Sequence, residues 1–236
     1  MTVGVARRLI HDQFPEWRQL PIRPVASEGT VNALFRIGND FAARFPLLGE
    51  DAEKTRAWLE EEASAARELA GASPVPTPAP VAIGTPGHGY PLPWSVQTWL
   101  SGTVASVADP ATSRPFARDL ADFIAALRTM DARGRRFSGS GRGGVLREHD
   151  DWMDLCFRES EGLVDVPRLR DLWRRLRELP RSGMDVMSHG DLVPGNVLVD
   201  DGRLVGIIDV GGFGAADPRS TSSGRGTFST TTPGKI

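Results

Sequence analysis

Residues 188–218, SHGDLVPGNVLVDDGRLVGIIDVGGFGAADP, constrain this chain more than any other stretch. Two short apolar runs, at 197–199 and 204–208, flank Asp200, Asp201 and Gly202. Apolar runs separated by a Gly-containing polar turn predict a β-hairpin. Polar residues with no packing role stand at both of its outer ends. His189, Gly190, Asp191 and Asn196 precede the first strand, and Asp209, Gly214, Asp217 and Pro218 follow the second. A hairpin returns the chain to where it began, so Asp191, Asn196 and Asp209 are expected together at one end.

The residue types in that triangle suit phosphoryl transfer. Asn196 and Asp209 are hard oxygen ligands, appropriate for Mg²⁺, which also takes oxygens from substrate phosphates. Asp191 supplies a second carboxylate, able to accept a hydroxyl proton and aim its oxygen at a γ-phosphate. A loop Asp, an Asn five residues on and a metal-binding Asp after a hairpin are the parts of a protein-kinase active site. Here the first motif reads H-G-D-x-x-x-x-N and the second I-D-x-x-x-x-G-x-x-D-P. A lone H-G-D would fit a surface hairpin with acidic ends equally well; two motifs in register are more specific. In this form the stretch resembles the aminoglycoside phosphotransferase family, small-molecule kinases with a protein-kinase-like fold. The resemblance covers roughly residues 20–218. It implies an α+β, two-lobed fold with a small antiparallel-sheet N-lobe and a mainly helical C-lobe. It also implies ATP or GTP with Mg²⁺ as cofactors.

The preceding chain divides accordingly. A short helix is expected over residues 3–14, stopped by Pro15. Residues 21–46 alternate as three strands, the last two at 33–37 and 41–45, with turns at 27–29 and 38–40. Turn chemistry alone makes the first an ordinary hairpin turn. By resemblance Gly29 lets this loop approach the nucleotide phosphates. The third strand, FAARFP, carries Arg44 where a kinase has a phosphate-contacting Lys; the chain's two lysines, Lys54 and Lys235, lie elsewhere. Arg44 is either the phosphate contact, through a bidentate fork, or a solvated residue on an edge strand. A helix over 52–70 follows, with Trp58, Ala65, Ala66 and Leu69 as its inward stripe. Of Glu60, Glu61 and Glu62, the family spacing selects Glu62 to orient Arg44.

Strands at 81–83 and 94–100 complete a five-stranded lobe. Residues 97–102, including Gln97 and Trp99, are the expected hinge, whose backbone meets the adenine ring by resemblance. Helices at 111–131 and 167–179 carry apolar residues at spacings of three and four and read as core. Residues 134–144, GRRFSGSGRGG, read as a mobile, solvated linker. Residues 148–165 hold seven acids against Arg158 alone. They are either a solvated helix face or an acidic wall that attracts a polycationic acceptor. His189 is expected to brace the catalytic loop.

Composition narrows the setting. A net charge of −2 leaves no nucleic-acid footprint. The single Cys156 cannot form an intrachain disulfide. The N-terminus lacks the apolar core of a signal peptide, and no apolar run approaches membrane-spanning length. A cytoplasmic location is expected.

The last stretch, 219–236, RSTSSGRGTFSTTTPGKI, has the composition of a disordered tail. The family instead continues with A-L-D-L and helices. If one nucleotide was lost after the Pro218 codon, synonymous codons for 219–235 can be chosen that read ALDLVGAWHLLDDDARE in the neighbouring frame. A frameshift at that point is therefore expected.

These readings converge on residues 1–100 as a nucleotide-binding lobe ending in the hinge, 101–218 as an incomplete catalytic lobe and 219–236 as a frameshifted tail. The expected activity is transfer of a γ-phosphate from ATP or GTP to a small-molecule hydroxyl, an aminoglycoside-type antibiotic first, a macrolide or hydroxylated metabolite otherwise. Asp191 is the expected base; Asn196 and Asp209 the metal ligands; Gly29, Arg44, Glu62, Gln97 and Trp99 the nucleotide contacts. The alternative is a nucleotide-binding pseudokinase or a catalytically impaired truncated product.

Overall fold

The computed structural model describes residues 1–26, 31–49, 51–137, 145–180 and 183–218. Helix α1 (Val3–Gln13) is capped by Thr2 and closes ahead of Pro15. Strands β1 (Ile22–Val25), β2 (Asn32–Ile37) and β3 (Phe41–Pro46) lead to helix α2 (Ala52–Ala70), then β4 (Pro80–Gly84) and β5 (Trp94–Thr98). Next come β6 (Thr103–Val104), α3 (Ala105–Ala108), α4 (Arg114–Thr129), α5 (Asp150–Glu159) and α6 (Val166–Leu176). The described chain ends with β7 (Val186–Ser188), β8 (Val197–Asp200), β9 (Arg203–Ile207) and β10 (Gly214–Ala216). It forms two compact units, one of residues 1–123 and 194–211, the other of 124–193 and the residues from 212. Among the described residues no helix is long and apolar enough to cross a membrane.

In the first unit, β1 to β5 make an antiparallel sheet in the order β1-β2-β3-β5-β4. Successive strand residues point to opposite faces, and here the two faces differ in chemistry. Phe35, Ile37, Ala43, Phe45, Trp94 and Val96 form one core with Ala6, Leu9 and Ile10 of α1. Phe45 stacks on Trp94 at 4.7 Å. The opposite face carries Ala42 and Arg44, in register with Gln97 and Ser95 of β5.

Helix α2 starts at Asp51, whose carboxylate accepts the Glu53 and Lys54 amides at 2.7 and 3.0 Å. Those bonds hold the Asp51 carboxyl below its ordinary range. The buried face of α2 is Thr55, Leu59, Glu62, Ala63, Ala66 and Leu69. Trp58, expected inward, is 37% exposed. The true stripe has helical spacing, but a glutamate stands in its middle, so counting apolar residues alone misplaces it.

The hairpin expected at 197–208 is present as β8 and β9, in a three-stranded sheet with β6. Both central turn residues, Asp201 (φ 45°) and Gly202 (φ 67°), are left-handed, the turn whose twist matches a hairpin. The turn is clamped to the start of α4. Ser113 Oγ donates to the Gly202 carbonyl at 2.6 Å. Arg203 donates twice to the Asp119 carboxylate, at 2.7 and 2.8 Å, and the Leu204 amide adds a third bond at 3.2 Å. Helix α4 begins at Arg114 rather than 111, because Pro110–Thr112 forms a separate 3₁₀ turn and Ser113 Oγ accepts the Phe116 amide. Of its expected stripe, Phe116, Leu120, Phe123, Ile124 and Leu127 are buried, whereas Met130, just past its end, is only partly so.

In the second unit β10 pairs antiparallel with β7. Asp165 caps α6 through the Arg168 amide at 3.0 Å. The expectation that this helix is core does not hold: Leu169, Leu172, Leu176 and the following Leu179 are between 39% and 53% exposed. The seam between α5 and α6 is polar and aromatic instead. Trp173 Nε1–H donates to Asp150 at 2.9 Å, Arg177 pairs with Asp150, and Arg170 pairs with Asp154 at 2.8 Å while lying over the Phe157 ring. Two of the acids read as either a solvated face or an acidic wall thus have arginine partners on α6 or just after its end.

The Asp119 clamp has a pH signature. Its hydrogen bonds from Arg203 hold the carboxyl below the ordinary range. A lowered folded-state value contributes stability above the unfolded-state value, ~3.9, and loses it as the pH falls through the lowered one. Asp119→Asn should cost about 1–2 kcal/mol near neutrality after allowing for solvent screening. Urea midpoints should show the gap closing on acidification below ~pH 4; a gap that widens would contradict the clamp.

Candidate functional site

Arg44 and Glu62 form a buried ion pair, with side chains 10% and 7% exposed. Strand β3 supplies Arg44 from the face turned away from α1, and α2 supplies Glu62 from the middle of its buried stripe. Neither charge is tolerable in such a position without the other. Glu60 and Glu61 are exposed, and Glu60 makes only a loose 3.6 Å contact with Arg56.

The outer end of the hairpin meets this pair. The Asn196 carbonyl accepts the Ile208 amide at 2.9 Å, which ties Asn196 to the strand leading into Asp209. Asp209 takes a left-handed backbone, φ 58°, uncommon for a residue with a side chain. Its Oδ1 lies 3.4 Å from Arg44 NH2, and its side chain is 51% exposed. Gly211 then passes so close to Glu62 that a Cβ there would lie 3.1 Å from Oε1. Arg44, Glu62 and Asp209 are thus brought together from a strand, a helix and the hairpin exit.

The H-G-D loop belongs to the second unit up to Val193. His189 is fully buried. The Gly190 amide donates to Ser188 Oγ at 3.2 Å, and the Asp191 carbonyl accepts the Val193 amide at 2.9 Å. Gly190 has φ 79°, and a Cβ there would sit 2.1 Å from the Gly212 carbonyl oxygen. The motif's glycine is therefore required by close backbone packing, as well as by its left-handed conformation.

The remaining candidates separate. Gln97, with Arg44, Glu62, Ser95 and Val210, lines a cavity of about 310 Å³ between α2 and strands β4 and β5. Trp99 does not line it. Its amide donates to the Asp40 carbonyl at 2.7 Å, and its ring carries the Arg36 guanidinium 4.6 Å from the centroid. Gly29 lies outside the described residues, as do 219–236. Sequence reasoning missed Ser113 and Asp119, which fix the hairpin turn: their partners are 89 and 84 residues away, and no local pattern marks them.

The donor set fits Mg²⁺ in kind. Asn196 and Asp209 offer hard oxygens, and the Asp209 carboxylate is half open to solvent. Among the described residues no cluster of three His, Cys, Asp or Glu could hold a metal by itself. Two protein oxygens with the rest from phosphate and water is the usual arrangement for this ion.

A model of the phosphotransferase enzyme family matches residues 22–220. Two curated relatives are aminoglycoside 3'-phosphotransferases, from Streptomyces fradiae (44% identical over 70 residues) and Escherichia coli (37% over 70 residues). Each match spans 25% of this chain and 26% of the relative, so the chain covers about a quarter of their length. A GDP complex of wild-type aminoglycoside 2'-phosphotransferase-IIIa has the same fold, with TM-score 0.68 at 21% identity over 96% of this chain and 83% of that one. The apoenzyme of a macrolide 2'-phosphotransferase from Brachybacterium faecium does too, with TM-score 0.64 at 18% identity over 97% and 78%.

Removing one partner of the buried pair should be severe. Glu62→Ala should destabilise the fold by about 3–5 kcal/mol because it strands a buried guanidinium, whereas Glu61→Ala should stay within about 0.5 kcal/mol of the parent. Chemical denaturation of both variants reads the contrast; equal effects would remove Glu62 from its assigned place.

Proposed function

The chain belongs to the phosphotransferase enzyme family, and from that premise we propose that it moves the γ-phosphoryl group of ATP or GTP to a hydroxyl of a small molecule. The observation that carries this reading is the buried Arg44–Glu62 pair met by Asp209 at the hairpin exit. A cation braced by a buried acid beside a half-exposed carboxylate is what the nucleotide-phosphate end of a kinase site requires, and here the three come from separate parts of the chain.

The roles follow from position. Arg44, steadied by Glu62, grips nucleotide phosphate with its remaining N–H groups. Asn196 and Asp209 hold Mg²⁺, which when bound neutralises charge on the phosphate oxygens. Residues 97–102 serve as the hinge, with Gln97 and Trp99 contributing through their backbone, and Gly29 belongs to the phosphate-covering loop. Asp191 orients the acceptor hydroxyl and takes its proton as the oxygen attacks the γ-phosphorus. The bond from that phosphorus to the β-phosphate oxygen breaks, and the nucleoside diphosphate leaves. In such a reaction most of the catalysis is positioning and electrostatics.

For the acceptor we propose an aminoglycoside-type molecule. Support comes from the curated relatives, named aminoglycoside 3'-phosphotransferases, and from solved proteins of the same fold in complex with kanamycin and gentamicin. The second reading, a macrolide acceptor, draws on the macrolide phosphotransferases among those structures. Pairing of Asp150 and Asp154 with arginines leaves less free negative charge for a cationic acceptor than the sequence alone implies.

The test is acceptor-dependent nucleotide turnover with kanamycin and with a macrolide, using ATP and GTP in turn. Asp191→Ala should lower turnover by ~10²–10⁴-fold while nucleotide affinity stays near that of the parent. Near-normal turnover in that variant would overturn the assignment of Asp191. Turnover with neither acceptor class would overturn the substrate reading.

A further inference from the structure

The Arg44 guanidinium is shared unequally. Its NH1 is committed to Glu62 inside the protein, whereas its NH2 reaches Asp209 across a longer, 3.4 Å contact to a carboxylate that is 51% exposed. The three groups together carry one positive and two negative charges. The Glu62 contact is anchored by burial on α2, and Gly211 closes in on the same carboxylate. The Asp209 contact is the exchangeable one: it is open to water and made by a residue at the end of a strand.

We propose that Arg44, besides its phosphate contact, parks Asp209 when no nucleotide is bound, so that phosphate and metal enter as a coupled event. This rests on the reading of Asp209 as a metal ligand. A guanidinium N–H that donates to the Asp209 carboxylate offsets its charge and competes with an arriving cation. A nucleotide phosphate is a better partner for the same N–H, since it is an anion with several acceptor oxygens. Its arrival draws NH2 away from Asp209 and frees the carboxylate for the metal that the phosphate itself helps to hold. Asp209 is therefore a poor metal ligand alone and a good one beside a nucleotide. The left-handed Asp209 backbone fits this role, because it sets the carboxylate within reach of Arg44 while leaving it half exposed.

The test measures Mn²⁺ binding without nucleotide, by the electron paramagnetic resonance of the free ion, on the full chain. Arg44→Lys keeps a charge for Glu62 but has one compact head group in place of two prongs, so Asp209 is released. Its Mn²⁺ affinity should rise about two- to five-fold over the parent, the range for a half-exposed charge pair. Glu62→Gln should do the opposite: the guanidinium loses its anionic anchor, turns its charge on Asp209 and weakens Mn²⁺ binding by a similar factor. Opposite shifts in two variants that each alter the same ion pair cannot come from general loosening of the fold. Should Glu62→Gln fail to fold, Arg44→Lys decides alone, since it retains the buried pair. Unchanged or weaker Mn²⁺ binding in Arg44→Lys overturns the parking role. Asp209→Asn separates that failure from failure of the underlying reading: if this variant binds Mn²⁺ as the parent does, Asp209 is not a metal ligand at all.

Discussion

A charge buried on one face of a small sheet organises this protein. Arg44 lies in a strand whose neighbours, Ala42, Ala43 and Phe45, are all buried, and a guanidinium there is stable only against a partner of opposite sign. Glu62 is that partner, and its place on α2 is as demanding, with Leu59, Ala63, Ala66 and Leu69 buried on the same face. The pair therefore fixes the rotation of α2 about its axis and its station along the sheet. Apolar packing alone would not do so, because a stripe of alanines and leucines can slide by a turn at little cost. The opposite face of the sheet, filled by α1 with stacked aromatic rings, supplies the bulk of the apolar burial. One face thus stabilises the unit and the other specifies it.

The β8–β9 hairpin is held at both ends by different means. Its turn is bound to α4 by Ser113 and Asp119. Its open end is closed by the Ile208–Asn196 backbone bond and by the contact of Asp209 with Arg44. A rod secured at two points places the residues beyond its end with little freedom, which a site built from a few oxygens requires. The hydrogen bonds at the turn connect groups more than eighty residues apart, so this precision arises only once the unit has folded.

Where the sequence was informative, the reason is local. The hairpin announced itself through two apolar runs around Asp-Asp-Gly, and both turn residues have the left-handed backbone that such a turn needs. Helix α2 was legible to its ends because helix formers run unbroken over 52–70 and Gly71 follows them. Glu62 was selected through the family resemblance, yet the stripe around it was drawn through Trp58, since burial of a glutamate cannot be read from periodicity. Helix α6 was misread for the converse reason. Its leucines recur with helical period, but the face that meets α5 is the one bearing Arg170, Trp173 and Arg177. A period identifies a helix and its stripe; it does not say whether anything covers that stripe. Contacts such as Arg203 with Asp119 were illegible because each residue alone has the look of an ordinary surface charge.

The proposed phosphate contact is Arg44, steadied by Glu62. The most direct measurement compares ADP with adenosine by calorimetric titration, on the parent and on the Arg44→Met/Glu62→Met double variant, which replaces the buried pair with apolar side chains and so leaves no stranded charge. In the parent, ADP should bind more tightly than adenosine. In the double variant that advantage should shrink by about 10–100-fold, the worth of a charge-assisted phosphate contact, while adenosine affinity holds. If both ligands weaken equally, or if the ADP advantage survives intact, the pair is a structural ion pair and the phosphate is gripped elsewhere.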